Sequence, residues 1–305
     1  MKVFARVKTC LEEKVIGQYE AKGEILKMVQ RIDAGLVERH RPVAATFLCG
    51  PTGIGKTHIV QSLAEGLHGT PLLLRIDCGT MQMDHEVARL VGAPPGYIGH
   101  RETQPIVTNT KLSSVRSPDC DIAVVLFDEF EKATHRLQDM LLSMLDDGSL
   151  LLGDGTRVRF DRTWVFFTSN VGAKEARPGI GFQKSVHTGA YMTAVRKLLL
   201  PEFIGRLTHI IVCSPLNEEQ IEDVIMRELR LAKEEWHLTN GLTIKQSALR
   251  AIVQQVKSEG EQYGARRIRR IVRDLLADAL LESGTDAPVT ICHENGQFAA
   301  MRRSA

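Results

Sequence analysis

The chain has 305 residues, with 39 Lys and Arg against 37 Asp and Glu, a formal net charge of +2. That length suits one large or two modest domains, and the near-neutral balance argues against nucleic acid or an anionic membrane as the main partner. The composition is that of a soluble globular protein, 43% hydrophobic and 25% charged. No apolar run reaches membrane-span length. Arg6, Lys8, Glu12 and Glu13 fall where a signal peptide would need an apolar core, so a cytoplasmic protein is expected.

Residues 1–40 mix apolar and charged positions at helical spacing, around the short apolar turn Val15-Ile16-Gly17-Gln18. The apolar run Ala44–Cys49 then reads as a buried strand, and Gly50-Pro51-Thr52-Gly53-Ile54-Gly55-Lys56-Thr57 follows it. A glycine, four residues and Gly-Lys-Thr is the phosphate-loop pattern, and its context is a strand before and a helix after, here from His58 to Leu67. The glycines let backbone N–H groups approach a phosphate chain closely, and the helix N-terminus favours anionic oxygens. Lys56 reaches the β- and γ-phosphates in such a site, and Thr57 places its hydroxyl on Mg²⁺. The pattern therefore predicts ATP with Mg²⁺, bound by Pro51 to His58.

Pro71–Asp77 reads as a second buried strand. Gly92-Ala93-Pro94-Pro95-Gly96-Tyr97-Ile98-Gly99 is a loop by its prolines and glycines, with an aromatic and an aliphatic residue at its tip. Asp121–Phe127 is the strongest strand signal, and it runs into Asp128-Glu129. Acids at the carboxyl end of a buried parallel strand lie where an α/β sheet meets its ligands. Asp128 suits a magnesium ion held through its water shell, and Glu129 suits the general base that activates water.

Thr134–Asp146 is an amphipathic helix, Leu150–Phe160 a hairpin turning at Gly153-Asp154-Gly155, and Trp164–Ser169 another buried strand. Asn170 at its end would face the γ-phosphate. Residues 171–200 show no clear period before Met192, and His209–Cys213 is the last strand of the first domain. Pro215 breaks the chain, which divides it into 1–215 and 216–305. The second part reads as three helices: one opened by an Asn217–Gln220 capping box, one over Ser247–Lys257, and one from Gly264. A small hairpin with Asn295-Gly296 at its turn ends the chain. The six cysteines are scattered and form no CxxC pair, so neither a disulfide nor a zinc site is expected.

From about Leu11 to Gln297 this order of motifs resembles the AAA+ ATPase module of the Clp chaperones and unfoldases, in particular their second ATPase ring. The resemblance implies an α/β phosphate-loop domain of three layers, α/β/α, around a five-stranded parallel sheet, then a small helical lid ending in a hairpin. It implies an ATPase working as a homo-hexameric ring on protein substrates. Val15 and Ile16 match the turn that packs on adenine, and Asn170 matches the sensor that orients the attacking water. Arg206, in Glu-Phe-Ile-Gly-Arg, matches the arginine finger that reaches a neighbour's γ-phosphate. The family more often has Asn where this chain has Gly205. Arg266, in Gly-Ala-Arg, matches the lid's sensor arginine.

Gly96-Tyr97-Ile98-Gly99 matches the pore loop that grips a threaded polypeptide. The chain departs from the family just after it, with His100-Arg101-Glu102-Thr103 in place of an acidic, glycine-rich continuation. Ile180-Gly181-Phe182 resembles the tripeptide with which some Clp unfoldases dock a Clp peptidase; a buried loop anchor is the alternative. The resemblance further implies a stand-alone single ring, with substrate choice left to the pore, a surface loop or an adaptor. The competing function is an AAA+ protein acting on nucleic-acid complexes, for which the Arg266, Arg267, Arg269 and Arg270 run would be the contact. For Arg206 the competing role is a surface ion pair.

Overall fold

A computed structural model describes residues 2–92, 104–173, 188–237, 242–258, 264–283, 289–294 and 297–302. The elements are α1 (Lys2–Lys14), α2 (Tyr19–Asp33), β1 (Ala44–Cys49), α3 (Lys56–His68), β2 (Leu74–Asp77), α4 (Asp84–Val91), α5 (Asn109–Ser114), β3 (Ala123–Asp128), α6 (His135–Asp147), β4 (Ser149–Leu151), β5 (Arg157–Arg159), β6 (Thr163–Ser169), α7 (Thr188–Leu198), α8 (Pro201–Ile204) and β7 (His209–Val212), followed by α9 (Glu218–Glu235), β8 (Leu242–Ile244), α10 (Gln246–Ser258), α11 (Gly264–Ser283), β9 (Val289–Glu294) and β10 (Gln297–Arg302). Two short 3₁₀ turns, Cys78–Thr80 and Phe130–Lys132, follow β2 and β3. The chain forms two compact units, Met1–Pro51 with Lys56–Ser214, and Thr52–Gly55 with Pro215–Ala305.

In the first unit five strands make one sheet in the order β2-β3-β6-β1-β7. Every pairing in it is parallel. All residues of β1, β3 and β6 are buried, as expected of parallel strands covered by helices on both faces. This explains why these strands are legible as unbroken apolar runs. β2 is buried only at Ile76, and it starts at Leu74 rather than at Pro71. It is an edge strand, and a proline at its start cannot donate to the ladder.

Phe127, Phe130, Phe167 and Phe203 stack in the core, with Phe130–Phe167 ring centroids 4.8 Å apart. Phe130 belongs to the turn just past β3, so the packing that fills the core also anchors the backbone beside Asp128 and Glu129. The hairpin read between Leu150 and Phe160 forms as antiparallel β4 and β5. Helices α4 and α5 are additional to the expected elements; α4 buries Val87 and Leu90, three residues apart on one face. Helix α7 starts at Thr188, four residues before the Met192 at which its period first becomes clear.

Among the described residues the second unit contains three helices and a small sheet in the order β10-β9-β8. β9 and β10 form the expected hairpin, whose turn residues 295–296 lie outside the described residues. β8 adds to it in parallel and was not expected, because three residues are too few to show alternation. The capping box forms as expected: Gln220 N–H donates to Asn217 Oδ1 at 2.8 Å, and Asn217 N–H donates to Gln220 Oε1 at 3.1 Å. No described helix is long and apolar enough to cross a membrane.

Gly148 ends α6 with φ of 59°, and a Cβ there would lie 2.4 Å from the His40 carbonyl oxygen. Gly148→Ala should therefore lose about 2–4 kcal/mol of unfolding free energy, measured by urea denaturation. Burial pushes the Cys49 and Cys213 thiols up to about 12. Since the thiolate is the nucleophile, both should resist iodoacetamide at pH 8 in the folded chain and react once it is unfolded in urea.

Candidate nucleotide-binding site

β1, β3 and β6 are parallel neighbours, so their carboxyl ends emerge at one edge of the sheet. That edge is where an open α/β sheet binds ligands. β1 ends at Cys49 and leads into the phosphate loop, β3 ends at Asp128, and β6 ends at Ser169, one residue before Asn170. Within the loop Gly50, Gly53 and Gly55 have φ of 149°, 79° and 98°. All three lie in conformations that L side chains rarely adopt, and no atom stands within 4 Å of where a Cβ would sit on Gly55. The backbone there is open for close approach.

Lys56 is buried, and its ammonium donates to Gly50 O at 2.8 Å, Pro51 O at 2.7 Å and Asn170 Oδ1 at 2.9 Å. Three acceptors match the three protons of an ammonium. Burial pushes its pKa down, opposed by the nearby Cys213, Glu131, Cys49 and Asp128. The Asn170 amide is held from both sides, because its Nδ2 donates to Glu131 Oε1 at 2.8 Å. The amide oxygen therefore faces the lysine and the amide nitrogen faces an acid.

Asp128 is 4% exposed, and its carboxylate is fully engaged. Oδ1 accepts from Thr57 Oγ1 at 3.0 Å and from Thr168 Oγ1. Oδ2 accepts from Arg75 Nη2 at 2.5 Å. A hydroxyl and a carboxylate oxygen that converge in this way are hard donors of the kind magnesium takes. With the buried ammonium of Lys56 beside them, these residues fit a nucleoside triphosphate with its metal.

Glu129 follows with φ of 58° and ψ of 46°, left-handed for a residue that has a Cβ. Its N–H donates to Thr168 Oγ1 at 3.2 Å, and its Oε2 pairs with Lys132 Nζ at 2.5 Å. That partner raises the pKa of Lys132. Strained backbone of this kind persists only where its surroundings hold it, and it gathers at functional positions.

The turn at Val15 and Ile16 lies beside the start of α3. His58 Nε2 is 2.9 Å from Lys14 O. Gln18, itself left-handed, clamps the far end of the sheet: its Nε2 donates to Ser214 O at 2.8 Å, and its Oε1 accepts from Ser214 N at 3.1 Å. Val15 is buried by this arrangement.

Arg206 is not gathered into this constellation. It forms an ion pair with Asp146 near the end of α6, where Arg41 Nε also donates to Asp146 O at 3.1 Å. Arg206 lines a cleft with Met28, Arg31, Leu36, Val43 and Leu145. Arg266 is an exposed residue of α11 in the second unit. In the same run Arg269 pairs with Glu228 and Arg270 with Asp274, so these two are spent within the unit rather than presented as a cationic stripe. Gly96, Tyr97, Ile98 and Gly99 lie outside the described residues, as do Ile180, Gly181 and Phe182.

Four residues of the site escaped the sequence reading: Arg75, Thr168, Glu131 and Lys132. Thr168 stands two residues before Asn170 and so shares its side of the strand, a signal that was available. Glu131 and Lys132 follow the acidic pair directly. Arg75 depends on the sheet order, which places β2 next to β3.

Comparison with known proteins agrees with this geometry. The chain is 35% identical over 312 residues to the ATP-dependent Clp protease ATP-binding subunit ClpC of Staphylococcus aureus (strain USA300), covering 94% of this chain and 36% of that protein. It is 34% identical over 310 residues to the ClpC of Staphylococcus saprophyticus, with the same coverage. The chain thus spans about a third of the length of these relatives. Among solved structures it resembles a closed-state cryo-EM reconstruction of Hsp104 with ATPγS and casein, with a TM-score of 0.81 and 24% identity, over 98% of this chain and 51% of that one. At that identity the likeness speaks for the fold. The model of the AAA domain (Cdc48 subfamily) matches residues 41–210, from just before β1 into β7. With the phosphate loop, the acidic strand end and four of the five strands of the parallel sheet wholly inside the match, the chain belongs to the AAA domain family.

Proposed function

We propose that this chain binds ATP with Mg²⁺, hydrolyses it to ADP and phosphate, and works as one subunit of a hexameric ring that remodels protein substrates by threading them past a pore loop. The observation that carries the reading is the convergence of Lys56, Thr57, Asp128 and Asn170 at one sheet edge. The similarity to ClpC supports the choice of protein as substrate.

In this reading Thr57 and Asp128 would hold a magnesium ion, which would supply positive charge to the phosphates. Lys56 exchanges its contacts with the loop carbonyls for phosphate oxygens. Glu129 takes the proton of the attacking water, and Asn170 orients that water. Val15 and Ile16 pack on the adenine, and the backbone of Pro51, Thr52, Gly53, Ile54 and Gly55 cradles the phosphates with His58 beside them. Arg266 serves as the lid's sensor.

Arg206 acts on the nucleotide of a neighbouring subunit, exchanging Asp146 for the γ-phosphate, and a finger of this kind is worth 10³–10⁵ in rate. The ion pair with Asp146 is what the competing surface role predicts, and mixing subunits separates the two roles. Gly96 to Gly99 form the pore loop, with Tyr97 as the gripping side chain. A Clp peptidase docked through Ile180-Gly181-Phe182 and an adaptor that selects substrates complete the proposal.

Glu129→Gln should lower ATP turnover by about 10²–10⁴-fold while fluorescent nucleotide still binds; turnover that survives would refute the assignment of the base. Arg206→Ala should likewise be inactive alone. Mixing Arg206→Ala with Glu129→Gln subunits should restore turnover, since each then supplies what the other lacks. A mixture as silent as its parts would rule out catalysis in trans. Tyr97→Ala should abolish unfolding of a tagged substrate while ATP turnover continues, and stimulation of turnover by DNA instead of protein would favour the nucleic-acid reading.

A further inference from the structure

We propose that Thr168 is a positioning residue whose single hydroxyl holds both acids of the site, the metal-binding Asp128 and the general base Glu129. This rests on the ATPase reading above and adds to it a residue that the motifs do not mark.

The geometry is specific. β3 and β6 pair in register up to Phe127 with Phe167, which brings Asp128 and Thr168 opposite each other at the next position. Thr168 is 2% exposed. Its Oγ1 donates its proton to Asp128 Oδ1 and accepts the Glu129 N–H at 3.2 Å. A hydroxyl has one proton and two lone pairs, so it is able to do both at once. The two acids adjoin in the chain, yet they need different orientations: one towards the metal, the other towards the attacking water.

The donated proton constrains Asp128. Oδ1 receives Thr57 from one side and Thr168 from the other, and Arg75 takes Oδ2. The carboxylate plane is thereby set from three directions. The accepted N–H constrains Glu129. Its left-handed backbone is unfavourable for a residue other than glycine. Besides Thr168, the bonds that hold it are Lys132 N–H to its carbonyl at 3.0 Å and the Lys132 ammonium to its carboxylate. Of these three only the Thr168 contact comes from another strand of the sheet. It therefore ties the backbone of the base to the rigid core, whereas the Lys132 contacts travel with the same turn.

The test uses Thr168→Val, which keeps the shape and removes the hydroxyl, with Thr168→Ala as a second variant should valine not fold, and Thr168→Ser as the conservative control. Loss of an outer-layer partner of a metal ligand typically weakens metal affinity or activity 10–100-fold. Thr168→Val should lower kcat by about 10–100-fold and raise by about tenfold the Mg²⁺ concentration needed for half of the thermal stabilisation given by ATPγS. Binding of fluorescent ADP without Mg²⁺ should change less than about threefold, and Thr168→Ser should stay within about fivefold of the parent in every readout.

An unchanged Mg²⁺ requirement together with an unchanged kcat would overturn the proposal. So would equal impairment of the serine and valine variants, which would make packing rather than the hydroxyl responsible. Should the parent chain not turn over ATP, the underlying reading fails, and the Mg²⁺ titration with ATPγS still decides whether Thr168 holds the metal acid.

Discussion

The carboxylate of Asp128 is the point on which the site depends. It is nearly inaccessible to water and sits at the last position of a strand buried on both faces. A buried charge without partners is strongly unfavourable. Here two hydroxyls and a guanidinium supply the compensation. Those three donors come from the helix after β1, from β6 and from β2. Satisfying one acid therefore requires the sheet order, its parallel register and the placement of the phosphate-loop helix all at once.

The same dependence explains why the core is aromatic where it is. Phe130 lies one residue past Glu129 and packs against Phe127, Phe167 and Phe203. Its burial anchors the turn that carries Glu129, Glu131 and Lys132. A shift of that turn would move Glu129, the acid that holds Asn170 and the lysine paired to Glu129 together. Core packing and site geometry are thus one mechanical problem, and the left-handed backbone at Glu129 is held where the two meet.

Electrostatics within the site is balanced pair by pair. Lys56 is matched to two carbonyls and an amide, Asp128 to Arg75, and Glu129 to Lys132. The buried ends, Lys56 and Asp128, gain most from these contacts, because a restricted dielectric strengthens them.

Much of this was legible in the residues alone. The phosphate loop, the strands β1, β3 and β6 and the residues that end them are local features: unbroken apolar runs bounded by glycine or by acids, read from periodicity and backbone conformation. The capping box at Asn217 is likewise local. What no linear reading supplied was the order of the strands. Arg75 lies 53 positions from Asp128, and Thr168 lies 40 positions from it. Their contacts exist only because β2 and β6 flank β3 in the sheet. The exposed edge position of β2, the third strand in the tail and the pairing of Arg206 with Asp146 were decided in the same way, by which segments packing brings side by side. Sequence determined the chemistry available at each strand end, because backbone preference and hydrophobic period act over a few residues. Tertiary structure decided which of those groups meet, because a buried charge is satisfied by whatever donors the fold delivers from far along the chain.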